Sequence, residues 1–212
     1  SYKNSFELTN KNMKSKKLKG IYPNKKNRKK IIDSFVNSLC DNKIKPIVSK
    51  KDILEVNKVL RSDFLTQGSK VGEFEKLVSK ISKAKFGVAA NSASSALHLG
   101  CLALGLTKND IVWTVPNTFV ASANCAINCG ASIDFVDIDK DTWNISLEEL
   151  KKKLVKAKKK KKLPKLIIPV HFAGQTSEQK KIWELSKKYN FKILEDASHS
   201  IGASHKKEIS GS

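Results

Sequence analysis

In Phe191-Lys192-Ile193-Leu194-Glu195-Asp196-Ala197-Ser198-His199-Ser200 a mostly apolar run drives straight into two carboxylates, and a small residue, a hydroxyl and an imidazole follow. The run predicts a buried parallel strand over residues 191–194. Residues at the C-terminal end of such a strand face the crevice where open α/β sheets bind ligands. A carboxylate there is costly to bury without a positive partner. Two readings of Asp196 follow. It caps the next helix or loop, which is the better reading of this stretch alone, or it meets a cationic group in the crevice.

Working outward, the preceding chain alternates between two periodicities. Helical apolar spacing occupies residues 52–60 and 71–81, the latter through Phe74, Leu77 and Ile81. A short strand is expected over 86–90, then a serine-rich turn and a helix over 95–104 that stops near Gly105. Further strands are expected over 111–115, 133–138 and 166–172, and further helices over 119–129, 146–159 and 177–189. Ser146 and Glu149 have the spacing of a capping box. Strands alternating with helices imply a mostly parallel, right-handed α/β sheet flanked by helices.

The chain has 212 residues, 40% of them apolar, enough for one domain with a sizeable core and an arm. Residues 1–45 are dense in Lys, Asn and Ser, and predict an arm that is disordered or loosely attached. Residues 46–212 carry the folded part. No run reaches roughly 18 apolar residues, so no membrane span is expected. The start lacks the apolar segment of a secretory signal, which makes a cytoplasmic protein the default.

The formal net charge is +21, and nearly all of the excess is lysine, because Arg28 and Arg61 are the only arginines. Specific nucleic-acid readers lean on arginine's planar fork. The lysine excess therefore reads as a compositional bias that keeps surfaces solvated, and no specific nucleic acid is expected as a partner. A lysine-rich module that associates with polyanions is the competing reading from another functional class. An apolar stripe of Leu147, Leu150, Leu154 and Ala157 continues through the lysine run 151–162, which predicts a surface helix. Cys125 and Cys129 stand four apart on one expected helix face, without a second pair at zinc spacing. Cys40, Cys101, Cys125 and Cys129 read as free thiols, and no metal site is expected.

Several residues fall where strands end. Asn91-Ser92-Ala93-Ser94-Ser95 lies between a strand and a helix. Free N–H groups at a helix start bind anions, so this is a candidate phosphate cup; ordinary N-capping by Ser92 or Ser94 is the competing reading. Phe119, in Pro116-Asn117-Thr118-Phe119, can stack on a planar ligand or fill the core. His171 and Gln175, in His171-Phe172-Ala173-Gly174-Gln175, read as site residues or as a satisfied core histidine and a loop residue. Strand ends of one sheet are where a single crevice would gather them. One cation that suits Asp196 in such company is the protonated ring nitrogen of pyridoxal phosphate.

The order of these motifs carries a resemblance. Ser62-Asp63-Phe64-Leu65-Thr66-Gln67-Gly68 comes first, then the serine-rich turn with Ala96-Leu97-His98. Pro116-Asn117-Thr118-Phe119-Val120-Ala121-Ser122-Ala123-Asn124 and Val136-Asp137-Ile138-Asp139 follow. Pro169-Val170-His171-Phe172-Ala173-Gly174-Gln175 and Glu195-Asp196-Ala197-Ser198-His199 complete the set. From about Lys45 to Ser212 the chain resembles the N-terminal part of the DegT/DnrJ/EryC1/StrS nucleotide-sugar aminotransferases, most of all their pseudaminic-acid branch.

The resemblance implies an incomplete fold-type-I large domain of the aspartate-aminotransferase kind, with pyridoxal 5'-phosphate as cofactor. It implies Ser94 and Ser95 at the phosphate, Phe119 on the ring, Asp196 at the pyridine nitrogen and His199 near the phenolic oxygen. Thr66, with Gln67 and Gly68, matches a loop near the entrance that touches the sugar nucleotide, although a plain turn built on Gly68 explains it equally. His171 and Gln175 are expected on the substrate side. The implied reaction is transfer of the amino group of glutamate to C4 of a UDP-linked 4-keto-6-deoxy-N-acetylhexosamine, or of another nucleotide-linked 4-keto sugar, by a homodimer.

Two departures stand out. Where the family has Ser-Gly-Thr, this chain has Ser92-Ala93-Ser94, and an alanine strains a turn that needs positive φ. The family's Schiff-base lysine belongs to a Ser-Phe-type motif downstream of Glu195-Asp196, and no lysine here takes that role. The catalytic assignment is therefore empty, and the 212 residues by themselves are expected to be inactive.

Overall fold

A computed structural model of the chain describes residues 48–205 and 208–211. The expected arm, residues 1–45, lies outside them. The chain divides into two units between Phe74 and Glu75.

In the first unit, α1 (Lys50–Leu60) begins two residues before the apolar spacing does. A full capping box explains this: Ser49 Oγ accepts from the Asp52 N–H, and the Asp52 carboxylate accepts from the Ser49 N–H. An exposed turn follows, and α2 (Ser69–Ser82), within which the boundary between the units falls, then carries the second apolar stripe.

The second unit is built on a four-stranded parallel sheet. Its strands are β1 (Ile111–Thr114), β2 (Ser132–Phe135), β3 (Leu166–Ile167) and β4 (Lys192–Ile193), in the order β2-β1-β3-β4. Its helices are α3 (Ala93–Ala103), α4 (Ala121–Ile127), α5 (Leu147–Lys159) and α6 (Gln179–Tyr189). Side chains on a strand alternate between faces. Val112, Leu166 and Ile168 pack with Leu97, Cys101 and Cys125 of α3 and α4 in one core. Trp113, Val115 and Ile167 pack with Leu150, Leu154 and Ile182 of α5 and α6 in the other. A separate antiparallel pair, β5 (Ser204–His205) and β6 (Glu208–Ile209), closes the described chain.

Several expected elements change. Residues 86–90 form no strand: Phe86 and Val88 are 75% and 81% exposed, and the Ala89 N–H donates to Glu75 Oε1 at 2.8 Å. With no strand pairing of its own among the described residues, the segment runs against α2. The strand expected over 166–172 is cut to two residues. Pro169 has no N–H to extend the ladder, which resumes only as the single bridge Val170–Asp196. Phe172 thus falls in a 3₁₀ turn, Phe172–Gly174. β2 stops at Phe135, and Asp139 Oδ1 folds the chain beyond it by accepting the N–H groups of Asp141 and Thr142. The Ser146 cap is single, not reciprocal. Ser146 Oγ accepts from the Glu149 N–H, but the Ser146 N–H goes to the Asp137 carbonyl and Glu149 pairs with Lys152.

The sheet order positions the site. From β1 the chain moves to β2 on one side, then to β3 on the other. This reversal opens a crevice beyond the C-terminal ends of β1 and β3.

Candidate active site

A cavity of about 340 Å³ occupies that crevice. The N-terminus of α3 supplies Ala93 and Ser94, and the segment after β1 supplies Asn117, Thr118 and Phe119. The segments after β3 and β4 supply Val170, His171, Phe172, Asp196, Ser198 and His199. Chain segments far apart in sequence thus bring Ser94, Phe119, His171, Asp196 and His199 to one space. Ser95 is not among the lining residues: its N–H donates to Ser92 Oγ, which in turn donates to Ser95 Oγ. Gln175 is not among the lining residues; its carbonyl accepts from Asn144 Nδ2. Thr66 belongs to the first unit, in the exposed turn before α2.

Ala93 creates no backbone conflict. It is the first residue of α3, whose N-cap is Ser92, and it is not among the residues with positive φ. The first N–H groups of a helix lack intrahelical acceptors, so those of Ala93 and Ser94 are available to an anion. Phe119 is 72% exposed, which rules out the core reading of this side chain.

Asp196 is buried, and its two oxygens are held differently. Oδ1 accepts the N–H and the hydroxyl of Ser198 at 3.2 and 2.6 Å. Oδ2 accepts the hydroxyl of Ser122, on α4, at 2.6 Å. Among the described residues no lysine or arginine forms an ion pair with it. The main chain on both sides is tied to β3's extension: the Asp196 N–H donates to the Pro169 carbonyl, and the His171 N–H to the Asp196 carbonyl. The simple capping reading does not account for this arrangement. Only the Ser198 contacts are local, and the remaining contacts hold an anion at the cavity wall. One further polar atom there is buried and unpartnered, Nδ2 of Asn117.

His171 is fully buried. Its Nδ1 accepts the Ser177 N–H at 3.0 Å, so the ring proton lies on Nε2, which donates to Glu195 Oε2 at 3.0 Å. With both nitrogens engaged, His171 offers the cavity a ring edge and no free hydrogen-bonding atom. It lines the cavity in which a substrate-side position is expected of it. Glu195 also accepts from Gln179 Nε2 and the Gly211 N–H. Burial pushes the Glu195 carboxyl up, but the hydrogen bonds from His171, Gln179 and Gly211 outweigh it and hold the group below its ordinary value.

The residues that the motifs did not single out are mostly supports. Ser198 had a local signal, a hydroxyl two residues after an aspartate. Ser122 stands four residues after Thr118, one helical turn, with no signal that it would reach Asp196. Asn144 had none: it accepts the Phe172 N–H and donates to the Gln175 carbonyl, clamping the turn that carries Phe172.

The family model for the DegT/DnrJ/EryC1/StrS aminotransferases matches residues 46–212. The chain belongs to this family. It is 40% identical over 164 residues to the UDP-4-amino-4,6-dideoxy-N-acetyl-beta-L-altrosamine transaminase of Campylobacter jejuni, a match covering 77% of this chain and 42% of that protein. Among solved family structures it is similar to the sugar aminotransferase Spr1654 of Streptococcus pneumoniae in its PLP form. That match has a TM-score of 0.70 and 28% identity, and covers 79% of this chain and 45% of the other. It is also similar to Helicobacter pylori PseC, an aminotransferase involved in the biosynthesis of pseudaminic acid, with a TM-score of 0.66 and 30% identity over 77% and 43% of the two chains. The chain spans about 40% of the length of the curated relatives that it matches. The fold is that of the family's pyridoxal-phosphate-binding domain, α/β with a parallel sheet, and pyridoxal phosphate is the family's cofactor.

Proposed function

We propose that the cavity holds pyridoxal phosphate, and that the protein to which these residues belong aminates C4 of a UDP-linked 4-keto-6-deoxy-N-acetylhexosamine with glutamate as donor, in pseudaminic acid biosynthesis. The observation that carries the cofactor reading is Asp196, a buried carboxylate at the switch point of the sheet with which, among the described residues, no lysine or arginine forms an ion pair. Isolated buried charge is expensive, and a protonated pyridine nitrogen repays that cost. The cavity's volume suits one substituted ring, and the unpartnered Asn117 Nδ2 supplies a donor for a ligand oxygen. The residues present fit the group. The substrate reading is supported by the Campylobacter and Helicobacter relatives.

Once bound, pyridoxal phosphate supplies an electron sink for bond changes at the carbon bearing nitrogen. The chain's part is to bind and orient. The α3 N-terminus and Ser94 take the phosphate, with Ser95 held by Ser92. Phe119 covers a ring face. Asp196 would keep the ring nitrogen protonated, and His199, on the same cavity wall, would hold the phenolic oxygen. Thr66 and Gln175 are proposed as sugar-nucleotide contacts, and His171 as part of the wall, its ring edge facing the substrate. The complete enzyme is proposed to be a homodimer.

Among the described residues, no lysine lines the cavity. The 212-residue chain is therefore expected to bind the cofactor without a covalent bond and to give no turnover. A titration of the chain with pyridoxal phosphate, followed by absorbance and fluorescence, tests this. Asp196→Asn is expected to weaken binding at least about tenfold. Borohydride treatment is expected to leave no covalent adduct at the cavity by mass spectrometry. Absence of binding by the parent chain overturns the cofactor reading, and turnover with keto-sugar nucleotide and glutamate overturns the statement of inactivity.

A further inference from the structure

We propose that Ser122, backed by Thr118, is a positioning residue that selects Oδ2 of Asp196 as the oxygen that receives the ligand's cationic N–H. The inference rests on the cofactor reading above and deepens it. Ser122 is fully buried on α4. A serine inside a helix ordinarily turns its hydroxyl to solvent or to a carbonyl of the preceding turn. This one reaches a carboxylate 74 residues away in the chain, at 2.6 Å. A hydroxyl has one hydrogen to give. Because Ser122 gives its hydrogen to Asp196, the 2.8 Å contact between Thr118 Oγ1 and Ser122 Oγ has Thr118 as donor. The two hydroxyls form a directed chain, Thr118 to Ser122 to Asp196, running from the cavity wall into α4 and back to the carboxylate.

The count of acceptor sites gives this chain a consequence. A carboxylate offers about four lone-pair directions. Ser198 takes two on Oδ1 through its N–H and hydroxyl, and Ser122 takes one on Oδ2. Among the described residues, the direction left open is therefore on Oδ2, the oxygen that Ser122 holds. An aspartate's terminal torsion is broad and two-fold, so nothing in the side chain itself chooses between its oxygens. Ser198 on one side and Ser122 on the other remove that freedom before a ligand arrives. Ordering the carboxylate in advance spares the ligand the cost of doing so.

The test uses the 212-residue chain and two probes: pyridoxal phosphate, and its 1-deaza analogue, in which a C–H replaces the ring nitrogen. Ser122→Ala is expected to weaken pyridoxal phosphate binding about tenfold, the scale of one hydrogen bond to a charged group. Binding of the deaza analogue, which has no N–H for Oδ2, is expected to stay unchanged. Ser122→Thr, which keeps the hydroxyl, is expected to restore affinity. Thr118→Val is near-isosteric and keeps the fold testable; it is expected to shift only pyridoxal phosphate, by a smaller factor. Equal losses for both probes, or no loss for pyridoxal phosphate, overturn the inference and leave the cofactor reading standing. A parent chain that binds neither probe overturns the cofactor reading, and the inference falls with it.

Discussion

Neighbouring residues of an extended segment point to opposite sides, and Glu195 and Asp196 make different use of that alternation. Asp196 lines the cavity, whereas Glu195 turns to His171, Gln179 and the N–H of Gly211. Its carboxyl is held below the ordinary glutamate value, so it is charged in the folded state over a wider range than in the unfolded chain. The stabilisation is present above the unfolded value, near 4.5, and is lost as pH falls through the lower folded value. Melting temperatures between pH 7 and pH 3 are expected to drop below about 4.5, and Glu195→Gln is expected to flatten that drop while lowering stability at pH 7 by about 2 kcal/mol. His171→Phe keeps a ring but abandons the Ser177 N–H and the Glu195 charge. It is expected to cost about 3 kcal/mol, read by urea denaturation.

Elements here are set by their ends as much as by their faces. α5 keeps Leu150, Leu154 and Ala157 buried although lysines surround them, because the stripe at helical spacing meets α6 and the sheet while the charges stay in water. Leu154→Ala is expected to cost about 3 kcal/mol in urea denaturation, whereas Lys159→Ala on the same helix is expected to change stability by less than about 0.5 kcal/mol. α6 stops at Asn190, which adopts the left-handed conformation at φ 57°. Asparagine tolerates that region better than other residues with a Cβ do, and glycine better still. Asn190→Ala is expected to lose about 1 kcal/mol, and Asn190→Gly to be neutral or slightly stabilising by the same measurement. These endings were only partly legible. The Ser146 cap and the apolar stripes have sequence signals, whereas the shortening of β3 depends on which residue needs an N–H where Pro169 has none.

At the scale of the molecule, the order β2-β1-β3-β4 matters more than the length of any strand. Moving β3 to the far side of β1 places the segments after both strands around one opening, and α3 and β4 complete its wall. The net charge of +21 acts on this scale too. Lysines spread over a surface attract polyanions without reading them, and such binding weakens steeply with salt. In a gel-shift experiment, any retardation of DNA is expected to vanish by about 200 mM salt and to be competed equally by unrelated sequences. Sequence-selective retention at that salt would support a nucleic-acid role instead.

The α/β alternation, the parallel sheet and the motifs that identify the family were determined by the amino-acid order. Each rests on local periodicity or on residues a few positions apart, as with Leu150 and Leu154 or Ser198 and Asp196. Tertiary structure decided the rest, because it depends on which distant groups meet. Phe86 and Val88 are residues that favour strands, yet among the described residues they gain no strand partner. His171 could have served the ligand, but the Ser177 N–H and Glu195 occupy both of its nitrogens. Asp196 has the same carboxylate in either reading. Only the fold gives it the hydroxyl of Ser122 and, among the described residues, no lysine or arginine partner, because a buried charge is defined by what surrounds it in space rather than by its neighbours in the chain.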